Sequence, residues 1–333
     1  MGALRRSTVF NVDPGVFRVS LLSVAGLIVS FVMVTKGASW LTDSIWNVSV
    51  RRKISAGMLG MAVAGLMTTL PEFTVSTMAS GLKSTGLSVG NAIGSTIFNI
   101  LGIVGICGLV RPLRFDKSFL SDYGRNALMV YLVFYALSIL GRSLGFVDGV
   151  ILLLVLAASL YYGYRRRHEG APDSPASSRS GSKDVILLLA GAGLLGSGAY
   201  VLIYSAKDLA STLGIPEFII GLSLVAVGTS IPELATGLTS VKKGVEEISV
   251  GNVLGANIYN VTLVLGASAI ISTLVNKKGL PTGGTVCWFD IPVMILATAL
   301  FVVVGRNGRI DRKTALSFIF LYAVYIAATY TII

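Results

Sequence analysis

Two glutamates stand inside apolar stretches of this chain, and each closes a similar run of residues. Glu72 ends Thr68-Thr69-Leu70-Pro71-Glu72, and Glu233 ends Thr229-Ser230-Ile231-Pro232-Glu233. Each run is followed by a Gly-Asn block. The first is Gly90-Asn91-Ala92-Ile93-Gly94-Ser95-Thr96-Ile97-Phe98-Asn99, and the second is Gly251-Asn252-Val253-Leu254-Gly255-Ala256-Asn257-Ile258-Tyr259-Asn260. The offset is 161 residues from Glu72 to Glu233, from Asn91 to Asn252 and from Asn99 to Asn260. A constant offset over such a length marks an internal duplication.

A carboxylate in the middle of a membrane span costs about 2.5–3.5 kcal/mol even on the cheaper scales. No Lys or Arg shares either apolar segment, so a metal cation or a proton must supply the positive charge. The bland alternative is a pair of protonated, hydrogen-bonded structural glutamates, and two copies in the same polar setting weigh against it. Pro71 and Pro232 cannot donate a backbone bond, and their rings crowd the carbonyls of Met67 and Gly228, which predicts an opened helix just before each acid. Thr68, Thr69, Thr229 and Ser230 bring hydroxyls, and Ser95, Asn99, Asn257 and Asn260 bring further oxygens. Such a set suits a hard cation. Calcium takes six to eight oxygens in irregular geometry, whereas zinc or copper prefers imidazole or thiolate. The one histidine, His168, lies in a linker. Two carboxylates match the charge of one divalent ion. Asn91 and Asn252 read better as ties between broken helices than as ligands.

The elements that must hold these residues are membrane helices. The hydrophobic fraction is 53% and only 13% of residues are charged, with a mean hydropathy of +0.79. Such a chain has too little polar surface for water, and its apolar runs approach the roughly 20 residues that a helix needs to cross a bilayer. Ten spans are predicted, near 18–41, 56–81, 87–110, 124–141, 146–164, 184–207, 217–241, 249–274, 285–305 and 313–332. The second, third, seventh and eighth are rich in Gly, Ser, Thr and Pro, and they carry the duplicated stretch. Interrupted spans at matching places in two halves point to a transporter's binding site. The glycines of these spans let helices approach closely.

The division is a lead-in at 1–17, five spans over 18–164, a Ser/Pro/Gly-rich linker at 165–183 and five more spans over 184–333. Gly141-Arg142 with Asp148 is echoed by Gly305-Arg306 with Asp311, which carries the duplication to the end of each half. Five is odd, so the second half starts on the opposite side and the halves are inverted. Lys and Arg in and beside the connectors after spans 1, 3, 5, 7 and 9 number 18, against 8 on the other side. That bias places the linker in the cytoplasm and both termini outside. The net charge of +11 is thus an orientation signal and not a nucleic-acid footprint. Cys107 and Cys287 read as buried free thiols, and no cleavable signal is evident. An intramembrane enzyme lacks support, since HExxH, a Ser/His pair and paired intramembrane Asp are all missing. No cofactor is expected. With no coiled-coil pattern or soluble interface, a monomer in the lipid bilayer is expected.

At these residues the chain resembles the cation/calcium antiporter superfamily. Its two inverted repeats each carry a motif like G-T-S-[LI]-P-E followed by G-N-x-x-G-S-N-x-x-[ND]. The resemblance covers the whole chain. It implies an all-α membrane protein of ten helices in two inverted five-helix repeats, the sodium/calcium exchanger fold, with ions bound between spans 2, 3, 7 and 8. It also implies that Glu72 and Glu233 ligate calcium and share oxygens with sodium, that the carbonyls of Gly65 and Ala226 are ligands, and that spans 1 and 6 slide as a gate. Thr96 stands where the family usually has Asn, Ala256 where it has Ser, and Asn260 where many sodium/calcium exchangers have Asp. The site then carries −2 and lacks one hydroxyl, so calcium binding survives on charge while sodium coupling weakens. Protons are the alternative counter-ion. Proton/calcium exchangers of this superfamily place their glutamate within G-N-x-x-E, however, and here those positions are Gly94 and Gly255. The implied activity is sodium/calcium antiport by alternating access, with proton/calcium antiport second and a cation channel third.

Overall fold

Long apolar runs with helix-forming residues and few breakers become membrane-length helices. The computed structural model of the chain describes residues 14–51, 65–165 and 181–332. The lead-in before residue 14, the start of the second expected span at 56–64 and most of the linker, with His168, lie outside the described residues.

The first helix, α1 (Pro14–Arg51), extends beyond the expected 18–41 at both ends. Next come α2 (Leu70–Gly81) and α3 (Thr85–Val110). A two-residue strand β1 (Leu113–Arg114), α4 (Lys117–Gly141), β2 (Ser143–Leu144) and α5 (Phe146–Arg165) complete the first half. The second half has α6 (Gly181–Leu213), α7 (Glu217–Thr229), α8 (Ile231–Lys243), α9 (Glu246–Asn276), β3 (Leu280–Pro281), α10 (Val286–Asn307), β4 (Arg309–Ile310) and α11 (Arg312–Ile332). Among the described residues, eight helices are long and apolar enough to cross a membrane. The bent pair α7–α8 makes a ninth. The second expected span is described only from residue 65, so α2 is its C-terminal part.

Helix α4 begins seven residues before its expected start at 124. Its early charges are accommodated locally. Asp116 caps the helix by accepting from the Ser118 amide at 2.6 Å and the Phe119 amide at 3.1 Å, and Arg125 pairs with Asp122 at 2.8 Å. A side-chain oxygen at the N-cap satisfies amides that the first turn leaves unpaired.

Two antiparallel ribbons tie the halves together. Leu113 pairs with Ile310 and Arg114 with Arg309, while Ser143 pairs with Pro281 and Leu144 with Leu280. Each ribbon joins a connector of one half to a connector of the other. Their inward residues Leu113, Ile310, Leu144 and Leu280 are fully buried in the larger core, which spans α3, α4, α9, α10 and α11. A second core is built from α1 and α6 packed on α2 and α7. Helices α1 and α6 meet at Gly37 and Gly191. A Cβ on Gly37 would lie 2.8 Å from the Gly191 carbonyl oxygen, so only glycine allows this approach. Helix α1 reaches the bent pair through Phe31, whose ring occupies the space where a Cβ of Gly228 would stand. Cys107 and Cys287 are buried free thiols, as expected.

Candidate cation site

The helix breaks fall where the prolines predict. Regular helix is interrupted at Thr69 and again at Ser230, and it resumes with Pro71 and Pro232 in the first turns of α2 and α8. The axes of α7 and α8 differ by 42°. The Gly65 and Ala226 carbonyls keep their helical bonds from the Thr69 and Ser230 amides, both at 3.1 Å. These carbonyls lie upstream of the bonds that proline removes, which are those to residues 67 and 228. A carbonyl has a second lone pair, and hydroxyls gather on it here. Gly65 accepts from the hydroxyls of Thr69 at 2.7 Å and Thr68 at 3.2 Å. Ala226 accepts from Thr229 and from Ser95, each at 3.3 Å.

Helix α3 lies against α7 because its glycines permit contact. A Cβ on Gly94 would come within 2.2 Å of the Leu222 carbonyl oxygen. That approach brings Ser95 between the two halves, where it also meets the Thr229 hydroxyl at 3.4 Å. Glu72 is completely buried, and its Oε1 accepts from Ser230 at 3.0 Å and from Ser95 at 3.5 Å. Its Oε2 has no hydrogen-bond partner. Glu233 is equally buried, and neither of its oxygens is in hydrogen-bond geometry with a donor. It does lie close enough to Glu72 and Thr68 for both to act on it electrostatically.

The asparagines divide into two sets. Thr229 donates to Asn91 Oδ1 at 3.0 Å and Thr68 donates to Asn252 Oδ1 at 3.2 Å, the same bond made once in each direction between the repeats. Asn91 also donates to Ser76 at 3.0 Å, so it ties α3 to α2, as expected. Deeper in, Asn99 Nδ2 donates to Asn257 Oδ1 at 2.9 Å, and Asn257 Nδ2 donates to the Thr96 carbonyl at 3.0 Å. Asn99 Oδ1 and both polar atoms of Asn260 are buried without a protein partner.

All twelve residues singled out in the sequence lie among the described residues. Hydrogen bonds join Glu72, Ser95, Thr229, Ser230 and Ala226 across the repeats, tie Thr68 and Thr69 to Gly65, and pair Asn99 with Asn257, while the side chains of Glu233 and Asn260 make none. Two features escaped the sequence reading. Helices α3 and α9 each pass through a π-helical segment, at Phe98–Ile103 and at Asn260–Val264. Asn99 and Asn260 thus sit at matching places in matching distortions. Such segments are frequent at functional sites because they redirect side chains and backbone carbonyls. The second is Asp290, an acid with 1% exposure in the π segment Val286–Asp290 that opens α10, bonded by the Tyr325 hydroxyl at 2.8 Å. An acid within the first turns of a span was the available signal.

Among the described residues, the junction holds two buried carboxylates with no basic side chain among their interacting groups and with unpaired oxygens on both, and the two π segments add unpaired oxygens on Asn99 and Asn260. Buried polar atoms in such number call for a partner. Oxygen-only donors around paired carboxylates fit a hard cation of charge two.

The chain is similar over most of its length to known membrane proteins. The family described as sodium/calcium exchanger protein matches residues 22–165 and 183–331. The inner membrane protein YrbG of Escherichia coli (strain K12) is 34% identical over 263 residues, covering 76% of this chain and 81% of its own length. A structure of the sodium-calcium exchanger NCX_Mj soaked with sodium and strontium superposes with a TM-score of 0.64 at 26% identity, covering 92% of this chain and 98% of the other. The crystal structure of the H+/Ca2+ exchanger CAX superposes with a TM-score of 0.77 at 15% identity over 94% of this chain and 87% of the other, a likeness of fold alone.

Proposed function

Because the chain belongs to the sodium/calcium exchanger protein family, we propose that this multi-pass membrane protein exchanges calcium for sodium by alternating access at the Glu72–Glu233 site. The observation that carries the reading is the pair of fully buried carboxylates with no basic side chain among their interacting groups. Calcium bound between them neutralises both and takes up the oxygens that the protein leaves unpaired. Sodium ions compete for the same oxygens, so loading one side with either ion discharges the other.

In this scheme Glu72 and Glu233 supply the charge. Ser95, Thr229, Ser230 and Thr68 supply hydroxyls, Asn99 and Asn260 supply amide oxygens, and the Gly65 and Ala226 carbonyls offer their second lone pairs. Asn257 and Thr69 hold their neighbours in place. The Gly37–Gly191 contact lets α1 and α6 move as a pair across the bent helices. The chain works as a monomer of two inverted halves, 18–164 and 184–333, with both termini outside and the linker at 165–183 in the cytoplasm.

Protons are the second reading for the counter-ion. Ala256 and Asn260 leave the second half short of a hydroxyl and of an acid, so fewer ligands remain for several sodium ions at once. A buried carboxylate without donors can be discharged by a single proton.

One experiment decides among these. Calcium-45 uptake into proteoliposomes is measured with imposed sodium, potassium or proton gradients. Uptake driven by an outward sodium gradient is expected, and a proton gradient alone driving it would transfer the role to protons. Uptake that needs no counter-ion would make the protein a channel. Glu72→Gln and Glu233→Gln should each abolish exchange, and full transport by either sinks the site.

A further inference from the structure

The two repeats brace their inner asparagines unequally. The 161-residue offset pairs Thr96 with Asn257 and Asn99 with Asn260. In one direction the brace is complete, because Asn99 gives its nitrogen to Asn257 Oδ1 at 2.9 Å. Asn257 is itself held by its own bond to the Thr96 carbonyl at 3.0 Å. With its nitrogen committed, Asn99 is left with a buried oxygen that no protein group uses. Its amide is held oxygen-forward.

The mirror bond does not exist. It would run from Asn260 Nδ2 to a side-chain oxygen at position 96, where an asparagine would carry one. Thr96 has only a short hydroxyl, and that hydroxyl is turned back onto the Ala92 carbonyl of its own helix at 2.8 Å. Asn260 is fully buried, yet neither end of its amide is bonded. Nothing selects oxygen over nitrogen as the end it presents. The π segment that Asn260 opens packs against the helix that begins Leu70-Pro71-Glu72 and against Thr85–Ile97, the helices that carry Glu72 and Ser95.

We propose that Thr96 is a positioning residue that leaves Asn260 free to swivel, so that the second half of the site grips its ion less firmly than the first. This rests on the reading of Glu72 and Glu233 as the cation site. An amide already turned oxygen-forward binds a cation without first giving up rotational freedom, which is the general advantage of preorganisation. Thr96 thereby tunes affinity against release.

The test uses the full chain in lipid nanodiscs and calcium binding by titration calorimetry. Thr96→Asn should create the missing brace and tighten calcium binding about fivefold, the effect of one net hydrogen bond. Asn260→Ala should erase that gain, so that Thr96→Asn adds nothing in the Asn260→Ala background. Unchanged or weaker binding by Thr96→Asn, or a gain that survives loss of Asn260, overturns the proposal. If Thr96→Asn does not fold, Asn99→Ala and Asn260→Ala decide. Loss of the held oxygen should weaken binding several-fold more than loss of the swivelling one, and equal losses or the reverse order overturn the proposal. The underlying reading is checked separately by Glu72→Gln. Should that variant keep wild-type calcium binding, the cation site is wrong. The brace is then still judged by calcium-free melting of the same variants, where Thr96→Asn must stabilise only when Asn260 is present.

Discussion

Ser230 donates its hydroxyl across the repeat boundary to Oε1 of Glu72 at 3.0 Å, whereas its counterpart Thr69 turns back to the Gly65 carbonyl at 2.7 Å. Two residues matched in sequence thus do different work, and the two glutamates are not equivalent. Hydrogen bonds to a charged acceptor contribute more than neutral ones, about 1.5–3 kcal/mol. Ser230→Ala should therefore raise the calcium concentration for half-maximal uptake about tenfold or more. Thr69→Ala should shift it much less and show instead as a lower melting temperature. Equal effects of the two substitutions on uptake would remove the asymmetry from the function.

Glu233 depends on a cation more than Glu72 does, since neither of its oxygens is in hydrogen-bond geometry with a donor while Glu72 Oε1 accepts from Ser230 and Ser95. Thr69 bonds elsewhere, and Ala256 stands where the first repeat has Ser95. A ligand that binds only the folded state stabilises it by about 2.7 kcal/mol at one hundred times its dissociation constant. Calcium should therefore raise the melting temperature of the detergent-solubilised protein. Glu233→Gln should abolish that rise, because a neutral amide leaves one carboxylate for a divalent ion. A calcium-induced shift that persists in Glu233→Gln places the ion elsewhere.

Much of this was legible from two motifs. The duplicated Pro-Glu runs located the breaks at Thr69 and Ser230, and Asn91 and Asn252 were legible as ties between helices, although their partners Thr229 and Thr68 were not. The direction in which Thr69 turns was not legible, because rotamer choice depends on which acceptor the packed neighbours leave nearest. The π segments at Phe98 and Asn260 left no mark either, since one extra residue in a turn barely changes apolar periodicity. The two-residue ribbons at Leu113 and Leu144 are too short to show alternation. Asp290 was overlooked because an acid near the start of a span resembles the polar edge of a connector.

The close packing of α3 on α7 is open to a direct test. A Cβ at Gly94 would stand 2.2 Å from the Leu222 carbonyl oxygen and 2.7 Å from its carbonyl carbon and Cα, all backbone atoms that cannot step aside. Overpacking of this kind costs about 1–3 kcal/mol or more. Gly94→Ala should lower the melting temperature by several degrees and stop calcium uptake, because Ser95 moves with the helix. Gly193→Ala on α6, where a Cβ meets nothing within 4 Å, should leave both intact. Normal uptake by Gly94→Ala would mean that α3 and α7 can separate without opening the site.

Asp290 and Tyr325 form a buried pair that links α10 to α11. The acid is 1% exposed, Tyr325 bonds it at 2.8 Å, and Phe289 stacks on the same tyrosine ring with centroids 5.7 Å apart. Removing one partner of a buried polar pair leaves the other to bear its full desolvation penalty, about 1–3 kcal/mol and more for a charged group. Tyr325→Phe keeps the ring and its stacking but removes the donor, so it should lower the melting temperature measurably. Asp290→Asn still offers an acceptor oxygen to Tyr325 and should be the milder change. Neither should alter the calcium dependence of uptake by more than about twofold, the scale of a few tenths of a kcal/mol. If Asp290→Asn stops exchange while the protein melts normally, the pair belongs to the transport path and the cation site does not act alone.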